Sequence, residues 1–299
     1  MIKAQLLRHS INQWGTTITS WLLEYPRFIH SELMTHRDFS RNAASSRAIP
    51  LMTTIQELRR KPALPVWWGS HKKGMGAGEQ LTGDDLAQAK HAWIRTLQNS
   101  LAEVQVADRH GLHKSLTNRL LEPWVHMKCV VTLTDHRNFF SLRAHKDAQP
   151  EFQVLAYRML EIYLGATPQP VAEGAWHMPF LDELDDMSVQ DQLKLATARC
   201  CWTSYGKPDR TIGEATTLAD AYARHDASIE AGHWSPFEHC AQATDPHRPY
   251  IRSNFDTDNM ASGWFQYRKL FTGERRTEDV DLEEILRNRP EWTKTAGLE

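Results

Sequence analysis

Apolar residues recur at helical spacing from Asp84 to Val106. Leu86, Ala89, Trp93, Leu97, Leu101 and Val104 fall on one stripe, which predicts a long amphipathic helix. Pro150 suits a first helical turn and opens a second, with Phe152, Leu155, Met159 and Ile162 inward. Ser188, followed three residues later by Asp191, is a capping-box variant and starts a third, with Leu193, Ala196 and Cys200 inside. A fourth is expected from about Glu214 to Ala231, stopped by Gly232. Thr16 to Glu24 is rich in β-branched and aromatic residues and predicts a strand. Pro26 then begins a helical pattern through Phe28, Ile29, Glu32, Leu33 and His36. That helix is expected to end near Arg41 and Asn42, leaving Ser45 and Arg47 on a loop. A short helix is expected over Leu116 to Trp124. Lys128 to Phe140 leans helical, although Val130, Val131 and the threonines also suit a strand. His233 to Ala243 reads as a strand, Thr244 to Asn259 as a polar insertion, and Gly263 to Leu270 as a short aromatic-basic helix.

Lys61 to Gly83 reads as a long irregular connection. Its Gly74, Gly76 and Gly78 fit neither phosphate-loop spacing, so a flexible loop is the better reading. Gly165 to Asp186, rich in Pro, Gly and Asp, is the best internal boundary. We expect one domain over 1–299, with sub-segments 1–165 and 187–273.

At 299 residues the chain can bury a substantial core. The balance of 35 Lys+Arg against 37 Asp+Glu is nearly neutral, which disfavours a nucleic acid polymer as partner. Cys129, Cys200, Cys201 and Cys240 form no CxxC pair and suggest a reducing compartment. No segment resembles a signal peptide or a membrane span, so a cytoplasmic protein is expected.

The densest chemistry lies in Met34 to Pro50, MTHRDFSRNAASSRAIP. His36, Arg37, Arg41, Asn42, Ser45, Ser46 and Arg47 combine guanidinium, imidazole, amide and hydroxyl donors with few carboxylates. That set suits an anionic heterocycle, and it also suits a basic surface turn. The second constellation is His233-Trp234-Ser235-Pro236-Phe237-Glu238-His239. His233, Glu238, His239 and Cys240 are possible zinc ligands. Adjacent Glu238 and His239 would point to opposite faces of a strand, so no metal site is expected. The third is Asn138-Phe139-Phe140-Ser141-Leu142-Arg143 followed by Ala148-Gln149-Pro150-Glu151, with Arg119 upstream in Asn118-Arg119-Leu120-Leu121-Glu122-Pro123. Taken singly, Arg143 could pair with Glu151 and Asn138 could cap a helix.

Together these segments resemble the flavin-dependent thymidylate synthases (thymidylate synthase complementing proteins). His36-Arg37, seven residues, Ser45 and Arg47 fit the family's Arg-His-Arg signature, with Thr35 in place of its first Arg. His233 to His239 fits the family's His-x-Ser/Thr-x-x-Glu-His segment, and the Asn138 and Ala148 runs fit its later motifs. The order differs: the His233 segment precedes the Arg-His-Arg helix in the family and follows it here, so the chain resembles a circularly rearranged member. The resemblance implies an α/β (α+β) fold, helices on a mixed or antiparallel sheet, in a homotetramer with shared sites. It implies reductive methylation of dUMP to dTMP with FAD, NADPH and methylenetetrahydrofolate. Arg37, Ser45, Arg47, Arg119 and Arg143 would bind the nucleotide, with Ser45, Arg47 and Arg143 at the reacting ring. His36, Asn138, His233, Ser235 and Glu238 would position flavin, and the resemblance makes 1–165 the nucleotide-binding half and 187–273 the flavin-binding half. Thr35, Ala43 and Ala48 replace an Arg, a Glu and a Tyr, so either Arg268 or Lys269 compensates or the substrate has changed. Hydroxymethylation of dUMP or dCMP, and a non-catalytic flavin- or nucleotide-binding module, stay open as alternatives.

Overall fold

Two long strands open the chain, because Lys3–Asn12 (β1) and Thr17–Pro26 (β2) are joined by a tight turn with Gly15 at φ +83°. Asn12 accepts from the Trp14 and Thr16 backbones and fixes that turn. The computed structural model describes residues 1–181, 187–205, 217–246, 263–274 and 281–294. In chain order there follow α1 (His30–Leu33), β3 (Ser40–Ala43), α2 (Leu51–Arg60), α3 (Gly83–Arg109), α4 (Lys114–Thr117), β4 (His126–Leu133), α5 (His136–Arg143) and α6 (Pro150–Gly165). The second half holds β5 (Gln169–Val171), β6 (Trp176–His177), α7 (Val189–Trp202), α8 (Leu218–Glu230), β7 (Ala241–Ala243), β8 (Trp264–Gln266) and α9 (Leu282–Arg287).

The first sheet runs β3-β4-β2-β1-β5 and is mixed: β5 is parallel to β1 and the other pairs are antiparallel. The second runs β6-β7-β8, antiparallel. This is the α/β architecture of helices on a mixed sheet that the sequence led us to expect. Trp21, Leu23 and Tyr25 of β2 pack with Phe139, Phe140, Phe152 and Met159 from α5 and α6 into the largest core. A second core joins α7 and α8 to Phe237, Cys240 and Tyr267. Ile18 and Val171 meet Ala241, Ala243 and Trp264, so the two sheets share apolar contact.

Their junction also carries a row of hydroxyls. Ser10, Ser20, Thr132 and Ser40 lie on β1, β2, β4 and β3, all fully buried. His177 bonds Ser10 and Ser20 at 2.9 Å each, Ser20 bonds Thr132 at 2.6 Å, and Thr132 bonds His239 at 2.9 Å. Gln266 donates to Ser40 at 3.0 Å. Three polar side chains of the second half, His177, His239 and Gln266, thereby bond to the first sheet, although His239 Nε2 finds no partner among the described residues. Gly263, at φ +98°, presses against the Asn12 amide, which donates to its carbonyl at 3.0 Å; a Cβ there would stand 2.6 Å from that amide nitrogen.

Four expectations need correction. The helix after Pro26 ends at Leu33, because the Thr35 hydroxyl and backbone N–H both turn back to the Glu32 carbonyl. Ser40–Ala43 is instead a strand, paired with β4. Lys128 to Phe140 divides into the end of β4 and the start of α5. Ser235–Glu238 is a 3-10 turn before β7, so Glu238 and His239 do not share a strand, and Gly263 to Leu270 is β8 plus a 3-10 turn. The polar insertion lies largely outside the described residues, as does the start of the helix expected from Glu214. Among the described residues no helix is long and apolar enough to cross a membrane.

Candidate functional site

The turn between α1 and β3 buries His36 to 8% exposure among Phe39, Phe139 and Phe152. Burial, reinforced by Arg143 and Arg41, holds its pKa at about 4, so the ring is neutral at physiological pH. Its Nε2 accepts from Arg143 Nε at 2.7 Å. Arg143, at the end of α5, also donates from Nη2 to Thr35 Oγ1 at 2.8 Å, approaches Glu32 at 3.7 Å and lies over the Phe152 ring at 5.0 Å. Thr35 thus offers an acceptor to Arg143 where the resembling family carries a cation. Arg143 does not pair with Glu151, which is buried and accepts instead from the Val66 backbone and Gln149.

At the centre of the site, Asn42 of β3 is the meeting point of distant segments. Its Oδ1 accepts from Ser235 Oγ at 3.1 Å and from Ser204 Oγ at 3.3 Å, and its amide donates to the Cys200 carbonyl. Next to it Arg41 donates to the Met34 and His36 carbonyls and braces the preceding turn. Ser235 is presented there by the end of α8. Gly232, at φ +68°, follows the last turn, and the Gly232 and His233 N–H groups close on Ile229 and Ser228 carbonyls. That left-handed cap turns the chain and leaves the His233 side chain exposed.

Glu238 is paired with Arg268, whose Nε also holds Glu274 at 2.7 Å, and Lys269 completes the group at 3.1 Å from Glu274. Burial raises the Glu238 pKa, against the opposing pull of Arg268. Arg268 and Lys269 are therefore engaged by carboxylates and do not stand in for the cation missing at Thr35.

Past β3, the loop carrying Ser45 and Arg47 is fixed through its backbone. Ser45 N–H bonds the Ser204 carbonyl at 2.9 Å, and the Asn118 amide donates to the Ser46 and Ile49 carbonyls. The Arg47 side chain is exposed. Arg119 is exposed and pairs loosely with Glu122 at 3.6 Å, while Glu122 is held more closely by Arg27 at 2.9 Å. Arg37 and Asn138 are exposed on the turn after α1 and on α5. The Asn138 backbone N–H is capped by Asp135, which leaves its amide side chain open. Arg37, Arg47, Asn138 and His233 are exposed and have no intramolecular side-chain partner among the described residues, so their donors are open.

The structure thus brings together His36 with Arg143, and Ser235 with the motif strand, but shows no direct contact between these groups and Arg119, Asn138 or His233. Sequence reasoning missed Asn42 as the hub, and Ser204; the amide of Asn42 was visible in the motif, but its partners lie 158 or more residues away. Among the described residues no His, Cys, Asp or Glu group of three could hold a metal ion.

The sequence profile of the thymidylate synthase complementing protein family matches residues 16–169, just over half of the chain. No curated protein matches. Among solved structures, a UMP/dUMP methylase PolB from Streptomyces cacaoi bound with 5-Br UMP is similar at 17% identity, covering 55% of this chain and 89% of that one, with a TM-score of 0.45. The same methylase bound with 5-Br dUMP gives 17% identity, 55% and 90% coverage, and a TM-score of 0.43. The matched stretch contains the His36 to Arg47 segment, Arg119, Asn138 and Arg143, and on that match the chain belongs to the thymidylate synthase complementing protein family, enzymes of the methyltransferase type.

Proposed function

We propose that the chain is a flavin-dependent thymidylate synthase, converting dUMP to dTMP with methylenetetrahydrofolate as carbon donor and NADPH as reductant, in a homotetramer with shared sites. The observation that carries this reading is the Ser235–Asn42 hydrogen bond at 3.1 Å. It joins the His233 to His239 segment, outside the family match, to the strand of the His36 to Arg47 segment inside it. The circular rearrangement is supported at the other end of that segment. Gly263 packs on Asn12, and Trp264 donates to the Thr16 carbonyl at 3.2 Å, where the family match begins.

The open side chains of His233 and Asn138 would hold FAD, with Ser235 and Glu238 shaping the turn that presents His233. Held by these residues, FAD would supply redox chemistry, carrying a hydride from NADPH toward the carbon added to the pyrimidine. Arg47 and Arg119 would take the phosphate, where a guanidinium fork matches paired oxygens. Arg143 would face a uracil carbonyl. Its guanidinium is already oriented by His36, Thr35 and the Phe152 ring, so little reorganisation accompanies charge development on the ring oxygen. Neutral His36 serves this best, because it accepts from Arg143 Nε and adds no competing positive charge. A cysteine nucleophile has no support: all four thiols are buried, and burial pushes Cys129 and Cys240 up to about 12.

The test is flavin retention. Protein saturated with FAD and then desalted should keep the absorbance of bound flavin, lose it on NADPH addition, and retain less after His233→Ala with the fold intact. Protein that emerges colourless overturns the proposal.

A further inference from the structure

Two of the three Arg143 nitrogens are engaged within the protein. Nε donates to His36 Nε2 at 2.7 Å, and Nη2 donates to Thr35 Oγ1 at 2.8 Å. Nη1 donates no hydrogen bond among the described residues. Its neighbour is Glu32 Oε2 at 3.7 Å, an ion-pair distance too long for a hydrogen bond. The Glu32 carboxylate likewise accepts no hydrogen bond among the described residues. Its side chain is 33% exposed and that of Arg143 20%, so a ligand can reach both.

The surroundings keep this pair open. Glu151, close enough to act on Glu32 through its charge, is buried, and its two oxygens are taken by the Val66 N–H at 2.7 Å and the Gln149 amide at 2.9 Å. Burial raises the Glu32 pKa, Arg143 opposes the rise, and the Glu151 charge adds to it. Thr35 accepts from Nη2 and brings no cation of its own to Glu32. A half-buried carboxylate without a hydrogen bond gains most from a donor that a ligand supplies.

We propose that Glu32 recognises the N3–H of the pyrimidine, as the acceptor half of a donor–acceptor pair with Arg143 Nη1. This rests on the nucleotide reading above, in which Arg143 faces a uracil carbonyl. Beside either uracil carbonyl the one ring donor is N3–H, because N1 carries the sugar and C5 and C6 bear no polar hydrogen. A base whose carbonyl accepts from Nη1 therefore presents N3–H to the neighbouring acceptor, which is Glu32. The N3 hydrogen stays on nitrogen, so the role is binding and orientation. Two contacts fix the ring in its plane, where one contact from Arg143 would leave it free to turn.

The experiment is calorimetric titration of the FAD-saturated protein with dUMP and with 3-methyl-dUMP, in which a methyl replaces the N3 hydrogen. Wild type is expected to prefer dUMP at least about tenfold, because the analogue leaves a buried acceptor unpaired. Glu32→Gln should keep most of that preference, since its amide oxygen still accepts. Glu32→Leu, similar in volume but without an acceptor, should bring the two ligands within about threefold of each other. A Glu32 that only held Arg143 in place would weaken both ligands together and leave their ratio alone. Wild type binding both within about threefold, or Glu32→Leu keeping the wild-type preference, would overturn the proposal. No dUMP binding by wild type would sink the nucleotide reading along with it, whereas dUMP binding with a preference indifferent to Glu32 removes this proposal alone.

Discussion

Arg143 shows how one substitution is absorbed by its neighbours. With Thr35 in the place of an arginine, the Arg143 guanidinium gains an oxygen acceptor in place of a like charge, and His36 and Glu32 complete its surroundings. Arg47 has no such support and stays exposed. Arg47→Ala is therefore expected to weaken dUMP binding by about 1.5–3 kcal/mol, the range for a hydrogen bond to a charged group. Arg47→Lys should recover only part, because one ammonium cannot reproduce a two-pronged contact. Equal dUMP affinity in wild type and both variants would place Arg47 outside the site. The buried histidines make a second prediction. Burial holds His136 down at about 4 and His239 at about 3, so both are neutral when folded. As pH falls below their unfolded value of about 6.5, the unfolded chain takes up protons that the folded chain refuses. Stability should fall from that point and level off only below pH 4, by on the order of 1–3 kcal/mol per histidine. Denaturation midpoints that do not change between pH 7 and pH 5 would contradict this.

Elements were legible in the sequence where one periodicity ruled. The stripe from Leu86 to Val104 became α3, Pro150 opened α6, and Ser188 caps α7 by accepting from the Asp191 N–H. Short strands were not legible. Ser40–Ala43 has only four residues, and its strand character comes from pairing with β4, a tertiary cause that no local pattern carries. β4 itself is buried at most positions, without the alternation that marks a half-exposed strand. The candidate site divides along the same line. His36 and Arg143 were readable as motif members, but their mutual contact required α5 to pack beside the α1 turn. Asn42 matters because three segments end on it. Asn42→Ala should cost about 1–3 kcal/mol in chemical denaturation, since the Ser204 and Ser235 hydroxyls and the Cys200 carbonyl all lose a partner. A loss below about 0.5 kcal/mol would show that those groups find other partners.

At the scale of the whole molecule, the two halves are held by apolar contact, by the hydroxyl row and by Asn42, and the proposed site draws on both halves. The proposed homotetrameric sharing adds a test. Arg47→Ala and His233→Ala, each inactive alone, should restore part of the activity when co-folded, because some mixed sites contain neither lesion. Inactive mixed oligomers, shown to contain both variants, would confine each site to one chain and leave the flavin assignment standing. The most direct measurement is the product itself. FAD-loaded protein is incubated with dUMP, methylenetetrahydrofolate and NADPH, with a flavin-free control, and the nucleotide is identified by mass spectrometry. The account predicts dTMP, formed only when FAD and NADPH are both present; 5-hydroxymethyl product, or unchanged dUMP with a fully loaded flavin, would contradict it.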